Sequence, residues 1–244
     1  VNAENASENA RILLDTFSCA GGAGTGYERA GFDVYSVDIN PQPRNPHPFH
    51  QGDAMAVLDN LASGKGVLFT RRDGTLFELF EEQIAVKHGS PPCQSYTPLG
   101  ALHPHKTYPD LIDATRDRFE ATSGPWVIEN VMAAPLDKAR SITLCGGMFG
   151  LRTYRHRRFE SNVELVAPEH PKHVIRTATK RRRELWAQGW HVSITGDVGT
   201  YVGPEAMGID WMSGNELSEA IPPPYTELIG RQLMAHVEAR EVAA

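Results

Sequence analysis

Cys93 lies in Gly89-Ser90-Pro91-Pro92-Cys93-Gln94-Ser95-Tyr96-Thr97, directly after an apolar run. Two prolines stiffen the approach and hold the thiol at the carboxyl end of a strand, where open α/β sheets carry their chemistry. Sulfur is ionised to roughly a few per cent at neutral pH yet is strongly nucleophilic, so this position suits covalent attack. A thiol packed into the core is the competing reading. Glu129 ends the apolar stretch Trp126-Val127-Ile128-Glu129-Asn130-Val131. Burying a carboxylate there is costly, and the cost is commonly tolerated where a proton must be moved. The alternative is a turn cap shared with Asn130. A third group is Asp15-Thr16-Phe17-Ser18-Cys19-Ala20-Gly21-Gly22, whose glycines let the backbone approach a ligand at a helix N-terminus. Asp38, at the end of the next strand, stands where an acid holds ribose hydroxyls, and Asp53 where one accepts from an adenine amine. A plain glycine turn, with Asp38 as a turn residue, is the other reading.

These groups need a frame. The apolar run 11–17, the glycine segment and the strand 33–39 form one βαβ unit over 10–38. Four prolines between Pro41 and Pro48 make a loop. Further strands are expected at 83–87, 126–128 and 142–144, with a helix over 110–121 that turns Leu111, Ala114 and Phe119 inward. Alternating strands and helices predict an α/β, doubly wound, mostly parallel sheet. The pattern breaks after Phe159. Three regions are expected: 1–160, the N-terminal part of the main domain; 161–203, a small insert; and 204–244, the return to the main domain, with 225–233 as a closing helix.

Composition bounds the function. Of the 244 residues 41% are hydrophobic and 22% charged, which excludes disordered and fibrous classes. No apolar run reaches membrane-spanning length, and Glu4 and Glu8 stand where a secretory signal carries basic and then apolar residues, so a soluble, cytoplasmic, monomeric protein is expected. Three cysteines far apart give neither a disulfide framework nor a CxxC site. His170 and His173 suggest a metal only until two further ligands are sought; no metal is expected. The net charge of −6 hides a basic segment. Residues 152–183 hold ten Lys or Arg against Glu160, Glu164 and Glu169, which suits binding of a polyanion along one face. A solvated charged face is the alternative for its densest part, Lys180, Arg181, Arg182 and Arg183.

Taken in order, these segments resemble the DNA (cytosine-5) methyltransferase family. The likeness rests on Asp15, Phe17, Gly21 and Gly22 with Ala30 to Phe32; on Pro92, Cys93 and Gln94 followed by Tyr96 and Thr97; on Glu129 to Val131; on Arg155 and Arg157; and on Ile229-Gly230. It covers most of 11–160 and 205–233. Cys19, Asp38, Thr153 and Arg231 depart from the family pattern, and the insert is short.

The resemblance implies a class I, Rossmann-like fold with a small target-recognition insert. It implies S-adenosylmethionine as methyl donor, held by Asp15, Phe17, Ser18, Cys19, Gly21, Gly22, Asp38, Ile39, Asp53 and Pro91, with Phe17 stacked on the adenine or simply packed in the core. It implies double-stranded DNA as partner, contacted by Gln94, Ser95, Arg155, Lys180, Arg181 and Arg182, and a cytosine flipped out of the duplex, since its reacting atoms are out of reach inside. Cys93, Glu129, Arg155 and Arg157 become the catalytic set, with no residue marked as the final base. The loop 95–108 either closes over the base or is static. RNA methylation, a modified sulfonium donor and a non-catalytic DNA-binding relative remain the alternatives.

Overall fold

The computed structural model describes residues 11–97, 108–178, 183–195 and 199–243. Its main sheet begins with the expected βαβ unit: β1 (Ile12–Thr16), α1 (Gly22–Arg29) and β2 (Asp33–Asp38), the two strands parallel. The proline segment is a loop and delivers β3 (Phe49–Gln51), parallel to β2. Helix α2 (Ala54–Ala62) follows, then an antiparallel hairpin of β4 (Val67–Thr70) and β5 (Leu76–Leu79) that the sequence analysis did not place. Next come β6 (Ile84–Gly89), α3 (Ile112–Glu120), β7 (Trp126–Asn130), β8 (Ser141–Leu144) and β9 (Arg157–Ser161). The spatial order is β5-β4-β3-β2-β1-β6-β7-β9-β8, with β3, β2, β1, β6 and β7 parallel and β9 antiparallel to both its neighbours.

The strand alternation sends Ile12 and Leu14 to one face and Leu13 to the other. The first face is covered by Val57, Leu58 and Leu61 of α2 and Ile112 and Phe119 of α3. The second is covered by Tyr27 of α1 and by Tyr225, Ile229 and Leu233 of α7 (Pro223–Ala243). The molecule is thus the doubly wound, mostly parallel α/β sheet expected, with helices on both faces. On α3 the inward residues are Ile112, Thr115 and Phe119; Leu111 and Ala114 are only half-buried, because Leu111 precedes the first turn and sets the register one residue later than expected.

Past β9, a two-stranded parallel sheet pairs β10 (Thr177–Ala178) with β11 (His191–Val192) around α4 (Arg183–Ala187). α5 (Gly199–Met207) and α6 (Gly214–Glu219) lead to α7. One apolar cluster joins Val192 and Ile194 to Met207, Ile209, Met212 and Leu217, so the boundary expected at 203 falls inside α5 and inside a shared core.

The basic segment is not one exposed stripe. Arg152 donates to the carbonyls of Trp186 and Trp190 and lies over the Trp186 ring; Arg176 faces Trp190 and Arg183 faces Tyr201. Cation–π and carbonyl contacts draw the half-buried Arg152 into the packing of the small lobe, while Arg176 and Arg183 stay exposed against their aromatic neighbours. Lys180, Arg181 and Arg182 lie outside the described residues.

Glu160 is a buried carboxylate on β9, bonded bidentately by Arg116 at 2.7 and 2.9 Å, by Arg140 at 3.0 Å and by the Asp137 N–H at 2.9 Å. Removing one side of such a network strands the other charges. Glu160→Gln is therefore expected to cost about 3 kcal/mol of stability in a urea titration, with the order of the sheet retained.

Candidate functional site

The chain leaves β1 and turns back over β2, while β6 lies on the other side of β1; the strand order therefore reverses there, and the carboxyl ends of β1 and β6 border the crevice in which open α/β sheets bind ligands. The glycine turn follows β1, Cys93 follows β6, and Glu129 is on β7 beside them. Three non-glycine residues with positive φ fall at this end of the sheet or next to it: Phe17 (57°), Cys19 (45°) and Arg155 (27°). Such conformations cost energy and concentrate where geometry serves function.

The glycine turn is held by Asp38, buried at the end of β2. Its Oδ2 accepts from the Cys19 N–H at 2.9 Å and its Oδ1 from the Asn40 N–H at 2.9 Å. An ionised carboxylate has about four acceptor positions, so capacity remains for a ligand hydroxyl. Asn45, from the proline loop, donates to the Cys19 carbonyl at 2.9 Å and to Ser18 Oγ at 3.3 Å. Gly21 has φ 80°, and a Cβ there would lie 2.7 Å from Pro46; one on Gly22 would lie 2.7 Å from the Ile221 carbonyl. The glycines thus let the proline loop and the returning chain close over the start of α1. Phe17 is half-buried, Ile39 is 66% exposed, and Asp53 is exposed and caps α2 through the Met55 N–H.

Asp15 does not front this crevice. The alternation that directs Leu13 inward also sends Asp15 into the layer under α1, fully buried, where its Oδ1 lies 2.8 Å from His88 Nδ1. Its other oxygen and His88 Nε2 have no hydrogen-bond partner among the described residues. The ligand-contact role expected of Asp15 is replaced by a buried Asp–His pair that couples β1 to β6.

Cys93 is half-buried and begins the 3-10 turn Gln94–Tyr96, in which Gln94 and Ser95 are exposed. Burial, then the Glu129 carboxylate, push its thiol above the ordinary range, while Arg157 and Arg155 pull the other way. The Cys19 thiol is pushed up by burial and then by Asp38, Glu219 and other charges that include Cys93, which puts the glycine turn and Cys93 in one electrostatic neighbourhood. Sequence reasoning missed Glu219, whose carboxyl is raised by burial and by Asp38. Because a raised thiol gains thiolate with pH, alkylation of Cys93 by iodoacetamide is expected to accelerate about tenfold per pH unit through the neutral range. Peptide mass spectrometry reads this out, and a plateau already reached near pH 7 would contradict it.

Glu129 is 5% exposed. Arg157 Nε pairs with Glu129 Oε1 at 3.0 Å as a largely buried ion pair. Asn130, beside it, donates to the carbonyl of buried Pro91 at 2.9 Å and ties β7 to the Cys93 turn.

Arg155 has a different task from the one expected. Its guanidinium donates to the carbonyls of Ala220 (2.9 Å), Ile194 (2.9 Å) and Ser218 (2.7 Å). Those bonds engage all three nitrogens, so Arg155 clamps the small lobe and α6 to β9 rather than reaching a base or phosphate. Tyr225 donates to the Arg155 carbonyl at 3.0 Å, a support sequence reasoning also missed. Of the loop 95–108, residues 98–107 lie outside the described residues; at its ends Ser95 Oγ donates to the Tyr108 carbonyl at 3.1 Å and Tyr96 pairs with Asp110. Cys145 and His156 come together with His170 and His173, a grouping of four side chains that the local sequence does not reveal.

Among the described residues no helix is long and apolar enough to cross a membrane. No family model matches the chain and no curated protein is similar to it. Among solved structures, the chain is similar to a protein encoded within an E. coli prophage and described as a DNA modification methyltransferase, at 19% identity over 62% of this chain and 46% of that one, with a TM-score of 0.39. It is also similar to a variant of Spodoptera frugiperda DNMT2 (16% identity, 67% and 54% covered, TM-score 0.40) and to S. pombe Dnmt2 (16%, 62% and 50%, TM-score 0.39). The chain spans about half the length of these structures.

Proposed function

We propose that this protein is a methyltransferase that transfers a methyl group from S-adenosylmethionine to carbon 5 of a cytosine flipped out of double-stranded DNA, through a covalent adduct on Cys93. The observation that carries this reading is a half-exposed thiol beside a buried carboxylate paired with Arg157 at 3.0 Å, at the strand-order reversal and next to a glycine turn.

The glycine turn fits the donor. Asp38 keeps acceptor capacity for the ribose, and the half-buried Phe17 and exposed Ile39 offer apolar surface for the adenine. The carboxylates of Asp38 and Glu219 suit a cationic sulfonium. Ser18, Cys19, Gly21 and Gly22 complete the turn, Pro91 joins them from the Cys93 segment, and Asp53 is exposed for an amine. When bound, the donor supplies an electrophilic methyl group.

This chain's residues do the rest. The Cys93 thiolate adds to carbon 6, and the displaced π electrons move toward N3, where Glu129 donates a proton or hydrogen bond so that charge does not accumulate. Carbon 5 thereby gains enamine character and becomes the nucleophile. After methylation, loss of the carbon 5 proton returns electrons to the ring and expels the sulfur. Arg157 holds Glu129 in place and lowers the cost of thiolate formation. The exposure of Gln94 and Ser95 next to the thiol supports giving them contacts to DNA, and the basic residues Lys180, Arg181 and Arg182 take its phosphates in this reading.

The test is transfer of labelled methyl from S-adenosylmethionine to duplex DNA and, in parallel, to total tRNA. Label in the DNA cytosine supports the proposal; label in tRNA alone replaces DNA by RNA as substrate, and label in neither overturns the reading.

A further inference from the structure

We propose that Cys145, His156, His170 and His173 form a structural zinc site that fastens the segment 162–176 to the β8–β9 end of the sheet. β8 and β9 are antiparallel, with Leu144 opposite Arg157. Continuing that register by one residue sets Cys145 opposite His156. The chain then leaves β9, runs without regular secondary structure and returns His170 and His173 to the same place.

The distances match the chemistry. Cys145 Sγ lies 3.2 Å from His173 Nε2 and His156 Nε2 lies 3.0 Å from His170 Nε2. Each residue offers one ligand atom, and these atoms all lie within 4.8 Å of one another. A tetrahedral zinc with sulfur at about 2.3 Å and nitrogens at about 2.0–2.1 Å spaces its ligand atoms roughly 3.3–3.6 Å apart, so closure takes movements of about an ångström. One thiolate with three imidazoles is a borderline-soft set that suits zinc, and four protein ligands leave no open position, which makes the site structural.

The surroundings prepare the ligands. Tyr154 stacks on His173 at 3.6 Å, and its hydroxyl donates to the Ile175 carbonyl at 2.8 Å while accepting from the Ile175 N–H at 3.1 Å, which orients the returning segment. His156 is also the residue between Arg155 and Arg157. Metal at His156 thus steadies the positive-φ backbone of Arg155 and the approach of Arg157 to Glu129.

The experiment uses the full chain without a histidine tag, equilibrated with zinc, passed through gel filtration and analysed by elemental mass spectrometry. About one zinc per chain is expected in the wild type and in Cys93→Ala. His170→Asn, at an exposed position that leaves the core untouched, and Cys145→Ser are expected to lose most of it. The cobalt-substituted protein is expected to show tetrahedral visible bands and a thiolate charge-transfer band that Cys145→Ser removes. Zinc below about 0.1 per chain in the wild type, or zinc retained in full by His170→Asn and Cys145→Ser, overturns the site.

Discussion

Cys93→Ala is expected to lower kcat for methyl transfer by about 10⁴-fold or more, because it removes the sulfur that makes the carbon–sulfur bond activating the ring, and the other nearby thiol, Cys19, is tied into the glycine turn. The thiol is half-buried at the end of β6, and among the described residues its side chain forms no hydrogen bond to another element, so the variant should unfold at the same urea concentration as the wild type. A stopped assay with labelled donor checks the first point and a urea titration the second. Activity within about tenfold of the wild type would remove Cys93 from the chemistry, whatever the substrate.

Glu129→Gln is the second large effect. The amide preserves shape but cannot deliver a proton, so kcat should fall by about 10²- to 10⁴-fold while KM for DNA changes little. The direction of the split matters. A carboxylate that merely shapes the pocket would raise KM instead, since its loss would weaken ground-state binding as much as transition-state binding. Arg157 gives up its ion-pair partner in this variant, which costs some stability as well; comparison with Arg157→Lys separates the two contributions.

The parts of the fold legible in the sequence are those set by local signals. Glycines and prolines punctuate the unit from β1 to β2 and the loop before β3, and the apolar strands β6 and β7 are short continuous runs, as in a parallel sheet covered on both faces. The hairpin of β4 and β5 escaped because an edge hairpin leaves Leu68 and Leu76 exposed, so its apolar residues do not mark one buried face. Cys93 and Glu129 were legible for the same reason as their strands: each chemical group sits at the end of a readable apolar run. Asp15 and Arg155 were misplaced because their partners are remote. His88 is on a neighbouring strand, and the carbonyls of Ile194, Ser218 and Ala220 arrive from the small lobe and α6. The Cys145 and histidine cluster has the same origin, since pairing of β8 with β9 joins two ligands that no local spacing connects to His170 and His173.

The most direct test of the account uses duplex DNA carrying 5-fluorocytosine together with S-adenosylmethionine. Fluorine cannot leave carbon 5 as a proton does, so sulfur addition and methylation proceed but release of the thiol is blocked. A protein–DNA adduct that survives denaturation, maps to Cys93 and is absent in Cys93→Ala is the predicted result. No adduct in any sequence context, or an adduct formed equally well by Cys93→Ala, would contradict covalent attack by this sulfur.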